Sequence, residues 1–238
     1  MARITMKFGG TSVGSTDALQ RATEIVRQHV RDGHQIAVVT SAMGGVTNLL
    51  IEGAQTASSG NGERYKAITA HLREKHQQAA DSLLHDPDAR AAVSENVHRL
   101  LDQYEAFCAG MYVLREASDK AIAAVSSLGE RICAPLLAAL LRQTGVASQA
   151  VDACTLIVTD EEYLNAGVHW AESEAKARRD LLPLIESGVV PVITGFIGST
   201  RQGVVTTLGR SGSDYTATLI GAFLECDEVW IWTDVDGV

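Results

Sequence analysis

Two rhythms of apolar and polar positions run along the chain. Short runs rich in β-branched and aromatic residues, "RITMKF", "QIAVVTS", "VVPVITGFIGST", "GVVTTLG" and "DEVWIW", read as strands, with "SQAVDA" and "TLIVTD" as shorter ones. Longer amphipathic stretches fall between them. In "STDALQRATEIVRQHVRDG", Leu19, Ala22, Ile25, Val26 and Val30 recur at helical spacing, Ser15, Thr16 or Asp17 supplies a cap, and Gly33 supplies the stop. A second helix is expected from about Val46, and others in "SLGERICAPLLAALLRQTG", "AESEAKARRDLLPLIESG" and "DYTATLIGAFLEC", with Pro183 expected near a kink or break. Residues 61–125, rich in Ala, Glu, His, Gln and Arg, predict two or three helices beside the sheet: a lid, a dimer surface or a plain helical layer. Strand, loop and helix in succession predict an α/β fold with a parallel sheet and right-handed crossovers.

Composition narrows the class of function. Of 238 residues, 46% are apolar and 21% charged, a balance suited to a folded domain. Aromatics are only 5%, so the core must rest on Ala, Val, Leu and Ile. A net charge of −9 with no long basic run argues against nucleic-acid or anionic-membrane partners. The N-terminal "MARITMKFGG" lacks a signal-peptide pattern, and no apolar run is expected to span a membrane, so a cytoplasmic location is expected. Cys108, Cys133, Cys154 and Cys226 fit neither a zinc site nor a disulfide framework, and His71 and His76 do not share a helical face.

The chemistry should sit where the strands end. "KFGGTSVGS", "TSAMGGVT", "TGFIGST", "LGRSGSD" and "WTDVDGV" all pass from strand-like residues into Gly, Ser, Thr or Asp. In an open α/β sheet ligands bind beyond the carboxyl ends of the strands, so these loops are expected on one rim. In the first loop Gly9 and Gly10 let backbone approach a phosphate, Lys7 supplies a point charge, and Thr11 and Ser12 supply donors; an ordinary strand–helix turn is the alternative. The lysine precedes the glycines, which is not the Walker order. Arg210 offers a planar fork for a carboxylate or phosphate, beside Ser213 and Asp214, which can also simply cap the next helix. Asp234 and Asp236 suit a ribose, Mg²⁺ or a plain turn, and Glu130 suits either helix capping or a substrate ammonium.

Taken together and in this order, "KFGGTS", "VVTSAMGGVTNLL", "GERICAPLLAALL", "TGFIG", "GRSGSDYTATLIG" and "WTDVDGV" resemble the catalytic domain of aspartate kinases, in the amino-acid kinase family. The resemblance runs over the whole chain and is weakest between about 60 and 120. It implies a three-layer α/β/α sandwich around a mostly parallel sheet. The implied reaction is transfer of the γ-phosphoryl of ATP, with Mg²⁺, to the side-chain carboxylate of L-aspartate, an early step toward lysine, threonine and methionine. Relatives acting on glutamate, acetylglutamate, carbamate or a nucleotide, or an inactive binding fragment, are the alternatives.

By that resemblance Lys7 neutralises the transferring phosphoryl group, Gly9, Gly10, Thr11 and Ser12 cradle it, and Ser41 and Thr47 line its junction with aspartate. Glu130 holds the substrate ammonium, Arg210 with Ser213 its α-carboxylate, and Asp214 organises Lys7. Thr233, Asp234 and Asp236 belong to the nucleotide side, and Mg²⁺ is held mainly by ATP rather than by protein ligands. A homodimer is expected. Two departures stand out: Ser211 occupies a position that is glycine in the family's loop, and the chain is expected to be a kinase domain cut short, without regulatory domains.

Overall fold

The computed structural model describes residues 1–232. In chain order the elements are β1 (Arg3–Phe8), α1 (Thr16–Arg31), β2 (Gln35–Thr40), α2 (Val46–Ser58), α3 (Gly62–Leu83), α4 (Pro87–Leu114), α5 (Asp119–Ser126) and α6 (Leu128–Gln143). Then follow β3 (Ser148–Val151), a 3₁₀ turn (Ala153–Thr155), β4 (Val158–Thr159), α7 (Trp170–Glu186), β5 (Val190–Thr194), β6 (Ile197–Thr200), β7 (Val205–Thr207), α8 (Gly212–Phe223) and β8 (Glu228–Trp232).

Five strands form one sheet in the order β3-β5-β2-β1-β8, every described pair parallel. The pleat sends alternate side chains to opposite faces. Ile4, Met6 and Phe8 of β1 and Ile36 and Val38 of β2 join a core shared with α1 to α4 and α6. Ala37, Val39 and Ile193 join a second core shared with α7 and α8. This is the expected three-layer α/β/α sandwich. Each Leu or Ile withdrawn fully from water, such as Leu50, Leu72 or Leu137, contributes about 2 kcal/mol of transfer free energy.

Local rules account for the element ends. Ser15 caps α1 by accepting from the Ala18 N–H, and Gly33 follows with φ 85°. Pro135 lies inside α6 and leaves the Arg131 carbonyl without its helical donor; Asn96 of α4 donates to it at 3.2 Å. The middle of the chain forms the three helices α3, α4 and α5. Their buried faces, including Leu72, Leu101 and Val125, merge with the core of the sheet, so they form a packed helical layer.

Several sequence expectations are corrected. "VVPVITGFIGST" is two strands, not one. The chain turns at Gly195-Phe196, where Phe196 takes φ 72°, and β6 leaves for a second sheet of order β4-β6-β7. β7 pairs antiparallel to β6, so its following loop reaches the rim from the smaller sheet. "TLIVTD" contributes only the two residues of β4, because its start folds into the 3₁₀ turn. α7 does not break at Pro183 but runs on to Glu186. Finally, Asp119–Gln143 is long and apolar enough to cross a membrane by length and composition, contrary to expectation, yet 83% of its apolar window is buried in the fold.

Candidate active site

The loops after β1, β2 and β7 and the turn after β5 enclose a cleft of about 380 Å³. Its lining includes Lys7, Gly10, Ser41, Gly44, Gly45, Thr47, Glu130, Phe196, Arg210, Ser213 and Asp214.

Lys7 reaches the cleft because of the pleat. It is one residue out of phase with Met6 and Phe8, so it leaves the sheet on the α8 side. There it meets Asp214 in the first turn of α8, with Nζ 2.6 Å from Oδ1. The contact is an ion pair without hydrogen-bond alignment, and Oδ1 has no other donor. Gly9 is small for Lys7: a Cβ there would stand 3.0 Å from Nζ. The loops after β1 and β2 pack backbone against backbone. A Cβ on Gly14 would lie 2.8 Å from the Gly10 carbonyl oxygen, and one on Gly44 3.3 Å from the same atom.

Glu130 enters from the first turn of α6 and is 3% exposed. A Cβ on Gly129 would stand 2.6 Å from Ala42 Cβ, so glycine lets the loop after β2 settle onto the helix. That closeness brings the Ala42 amide toward the Glu130 carboxylate, and this amide and Glu130's own favour the charged form. The other oxygen, Oε2, is buried with no partner among the described residues. Burial outweighs the two backbone donors and pushes the carboxyl up to about 8.

Opposite stands the loop before α8. Ser211 takes φ 57° and ψ 22°, the left-handed conformation raised by its departure from glycine. Arg210 beside it is exposed and has no carboxylate partner among the described residues. Ser213 is buried against Gly195, where an added Cβ would fall 2.7 Å from its Oγ. Thr216 Oγ1 accepts from the Phe196 N–H at 3.0 Å and donates to the Gly212 carbonyl at 2.9 Å, tying α8 to the turn after β5.

A model of the amino acid kinase family matches residues 2–238. The chain belongs to the amino acid kinase family. Among its curated relatives, lysine-sensitive aspartokinase 3 of Escherichia coli is 35% identical over 99% of this chain and 49% of its own length. The bifunctional aspartokinase/homoserine dehydrogenase 2 of Arabidopsis thaliana is 32% identical over 98% of this chain and 25% of its own. The structure of E. coli aspartokinase III in complex with aspartate and ADP superposes with a TM-score of 0.88 at 32% identity, over 99% of this chain and 50% of that one. The chain thus spans half or less of the length of these relatives.

Within this amino acid kinase fold, Lys7, Gly10, Ser41, Thr47, Glu130, Arg210, Ser213 and Asp214 share the cleft, as the motifs suggested. Gly9 supports Lys7 from behind. Thr11 and Ser12 do not line the cleft. They face a neighbouring groove with Arg21 and Trp232, and Ser12 Oγ donates to the Trp232 carbonyl at 3.2 Å. The close Gly10–Gly14 approach turns the chain away before the hydroxyls can point inward. Thr233, Asp234 and Asp236 lie outside the described residues.

Sequence reasoning missed Phe196 and Thr216, which shape the floor, and Lys75 of α3, whose Nζ donates to the Gly44 carbonyl at 2.6 Å. Phe196 and Thr216 lie inside "TGFIG" and "GRSGSDYTATLIG" but carry no charge that marks them there, and Lys75 lies outside every motif. The four cysteines are free, with Cys108 and Cys133 buried. Among the described residues no group of three or more His, Cys, Asp or Glu could hold a metal.

Proposed function

We propose that this chain carries the catalytic apparatus of an aspartate kinase. It moves the γ-phosphoryl group of ATP to the side-chain carboxylate of L-aspartate, giving 4-phospho-L-aspartate and ADP. The observation that carries this reading is the pairing of two receptors in one cleft: the buried oxygen of Glu130 and the guanidinium of Arg210, neither partnered among the described residues. An α-amino acid presents an ammonium and a carboxylate, and these two groups answer both. The relatives named as aspartokinases, and the relative crystallised with aspartate and ADP, support the choice of substrates.

The chemistry asks little of a base. The acceptor carboxylate is ionised near neutral pH and needs no deprotonation. One of its oxygens forms the new bond to phosphorus as the bond from phosphorus to the β,γ-bridging oxygen breaks, and the electron pair leaves on ADP; no proton is transferred. The barrier is the approach of two anions. Lys7, held by Asp214, places a cation at the cleft, and the glycine-rich loops present backbone donors. Mg²⁺ in this reading would travel on the nucleotide phosphates and supply charge neutralisation when bound.

The test is aspartate-dependent acyl-phosphate formation with Mg-ATP, trapped by hydroxylamine, with L-glutamate as control. Hydroxamate with aspartate alone is expected. Equal product with glutamate would redirect the assignment to another carboxylate kinase of the family, and no product with either would overturn it for this chain.

A further inference from the structure

The helical layer touches the cleft at one point that neither the motifs nor the reaction explains. Lys75 sits on α3, half-buried, in the stretch where the sequence offers least resemblance to known kinases. Its Nζ donates to the Gly44 carbonyl at 2.6 Å, and no carboxylate pairs with it among the described residues. A lysine on a long amphipathic helix normally keeps its ammonium in water. Here it is spent on one main-chain oxygen.

That oxygen belongs to an unusual peptide. Gly44 and Gly45 are adjacent glycines, and Gly45 takes φ 80° at the N-terminal cap of α2. With no Cβ on either side, the 44–45 peptide plane meets little steric resistance to turning over. The bond is trans, as are all peptides among the described residues, so its C=O and N–H point in opposite directions. Whatever fixes the carbonyl therefore fixes the N–H. The Gly45 N–H has no acceptor among the described residues, and Gly45 lines the cleft. If the peptide turned over, a carbonyl oxygen would replace a donor in a site that must hold an anion.

We propose that Lys75 is a positioning residue that holds the Gly44 carbonyl on the α3 side, and thereby aims the Gly45 N–H at the phosphoryl group in the cleft. The role in turnover rests on the kinase reading above; the orientation of the peptide does not. Lys75 acts through backbone and touches no substrate. Its effect belongs to the transition state, where charge on the phosphoryl oxygens must be matched by donors already in place.

Two measurements on the whole chain test this. In the kinase assay, Lys75→Met is expected to lower kcat about tenfold with the aspartate KM within about twofold, as for a lost hydrogen bond to a charged group. Lys75→Arg, which keeps a cationic donor, is expected to restore most of kcat. On ¹⁵N-labelled protein, the Gly45 amide resonance is expected to shift on titration with inorganic phosphate, and Lys75→Met to weaken that response about tenfold at unchanged thermal midpoint. The proposal is overturned if Lys75→Met keeps both the wild-type kcat and the phosphate response, if Lys75→Arg is as impaired as Lys75→Met, or if wild-type Gly45 ignores phosphate. A wild-type chain with no aspartate-dependent turnover, but a Lys75-dependent phosphate shift at Gly45, would sink the kinase reading and leave the positioning role standing. Should Lys75→Met fail to fold, the wild-type titration and Lys75→Arg still decide it.

Discussion

Glu130 gives the sharpest handle on the site, because its cost can be read in two independent ways. Its carboxyl is pushed up to about 8 by burial, against an ordinary value of 4.5. Between those values the native chain binds a proton that the unfolded chain has released. Stability therefore falls as pH rises through this window, by at most about 1.4 kcal/mol per pH unit. The full span is roughly 5 kcal/mol, reached above the native value, with roughly 3 kcal/mol already lost at pH 7. Replacing Glu130 with Gln removes the titration while keeping the acceptor for the Ala42 N–H. Its amide nitrogen takes the place of the unpartnered oxygen at a cost of about 1 kcal/mol. Urea unfolding at pH 5 should thus find Glu130→Gln equal to wild type or slightly less stable. By pH 8 to 9 it should be the more stable protein by roughly 2 to 4 kcal/mol. Parallel stability curves for the two proteins across this range would refute the argument, since they would mean that Glu130 is not held protonated by burial.

The same carboxyl predicts how substrate binds. A substrate ammonium beside Oε2 pulls the carboxyl back to its ionised form, so binding at neutral pH releases a proton. Affinity for aspartate should then rise with pH by up to about tenfold per unit below pH 8 and level off above it. Isothermal titration in buffers of different ionisation enthalpy should count close to one proton released at pH 6.5, and none for Glu130→Gln, whose affinity should be weaker throughout. Aspartate binding that is flat from pH 6 to 8 with no proton released would remove Glu130 from the ammonium site, whatever the stability curves show.

Three further substitutions separate the roles of the cleft residues. Lys7→Met should lower kcat by about 10² to 10³ and leave the aspartate KM little changed, as expected for a cation that acts on the transferring group; an unchanged kcat in steady-state assays would exclude that role. Arg210→Ala should raise the aspartate KM by about 10- to 100-fold with little effect on the ATP KM, and the reverse pattern would invert the assignment of the two ends of the cleft. Ser211→Gly should relieve the left-handed strain at φ 57° and stabilise the protein by about 0.5 to 1 kcal/mol after the entropy of glycine is charged against it, a rise of about 2 °C in Tm; a lower Tm would show that the serine side chain is held by contacts that outweigh its backbone cost.

What the sequence disclosed, and what it withheld, divides along a physical line. Strand ends and glycine loops are local features, so the rim was legible, and the phase of "RITMKF" is enough to send Lys7 to the face opposite Met6 and Phe8. Thr11 and Ser12 were misplaced because their direction depends on Gly14 meeting the Gly10 carbonyl, a contact that closes the loop on itself. The break between β5 and β6 was hidden for a related reason: Phe196 adopts φ 72° against its own preference, held by a hydrogen bond from its N–H to Thr216 on a helix later in the chain. Glu130 is legible as a carboxylate at a helix start, but its unusual state is not, because Gly129 must first admit Ala42. Lys75 was wholly silent, since a lysine among Glu, His and Gln on a helix carries no signal until the fold sets a carbonyl within its reach. The motif residues supply charges and backbone donors. Their placement in space is fixed by neighbours that carry no signal of their own: Gly129 for the carboxyl, Thr216 for the floor, and, by the proposal above, Lys75 for the Gly44–Gly45 peptide. A family member that kept the charged residues and loop glycines of the cleft but lost these three would hold the right groups in the wrong geometry, and its activity should fall.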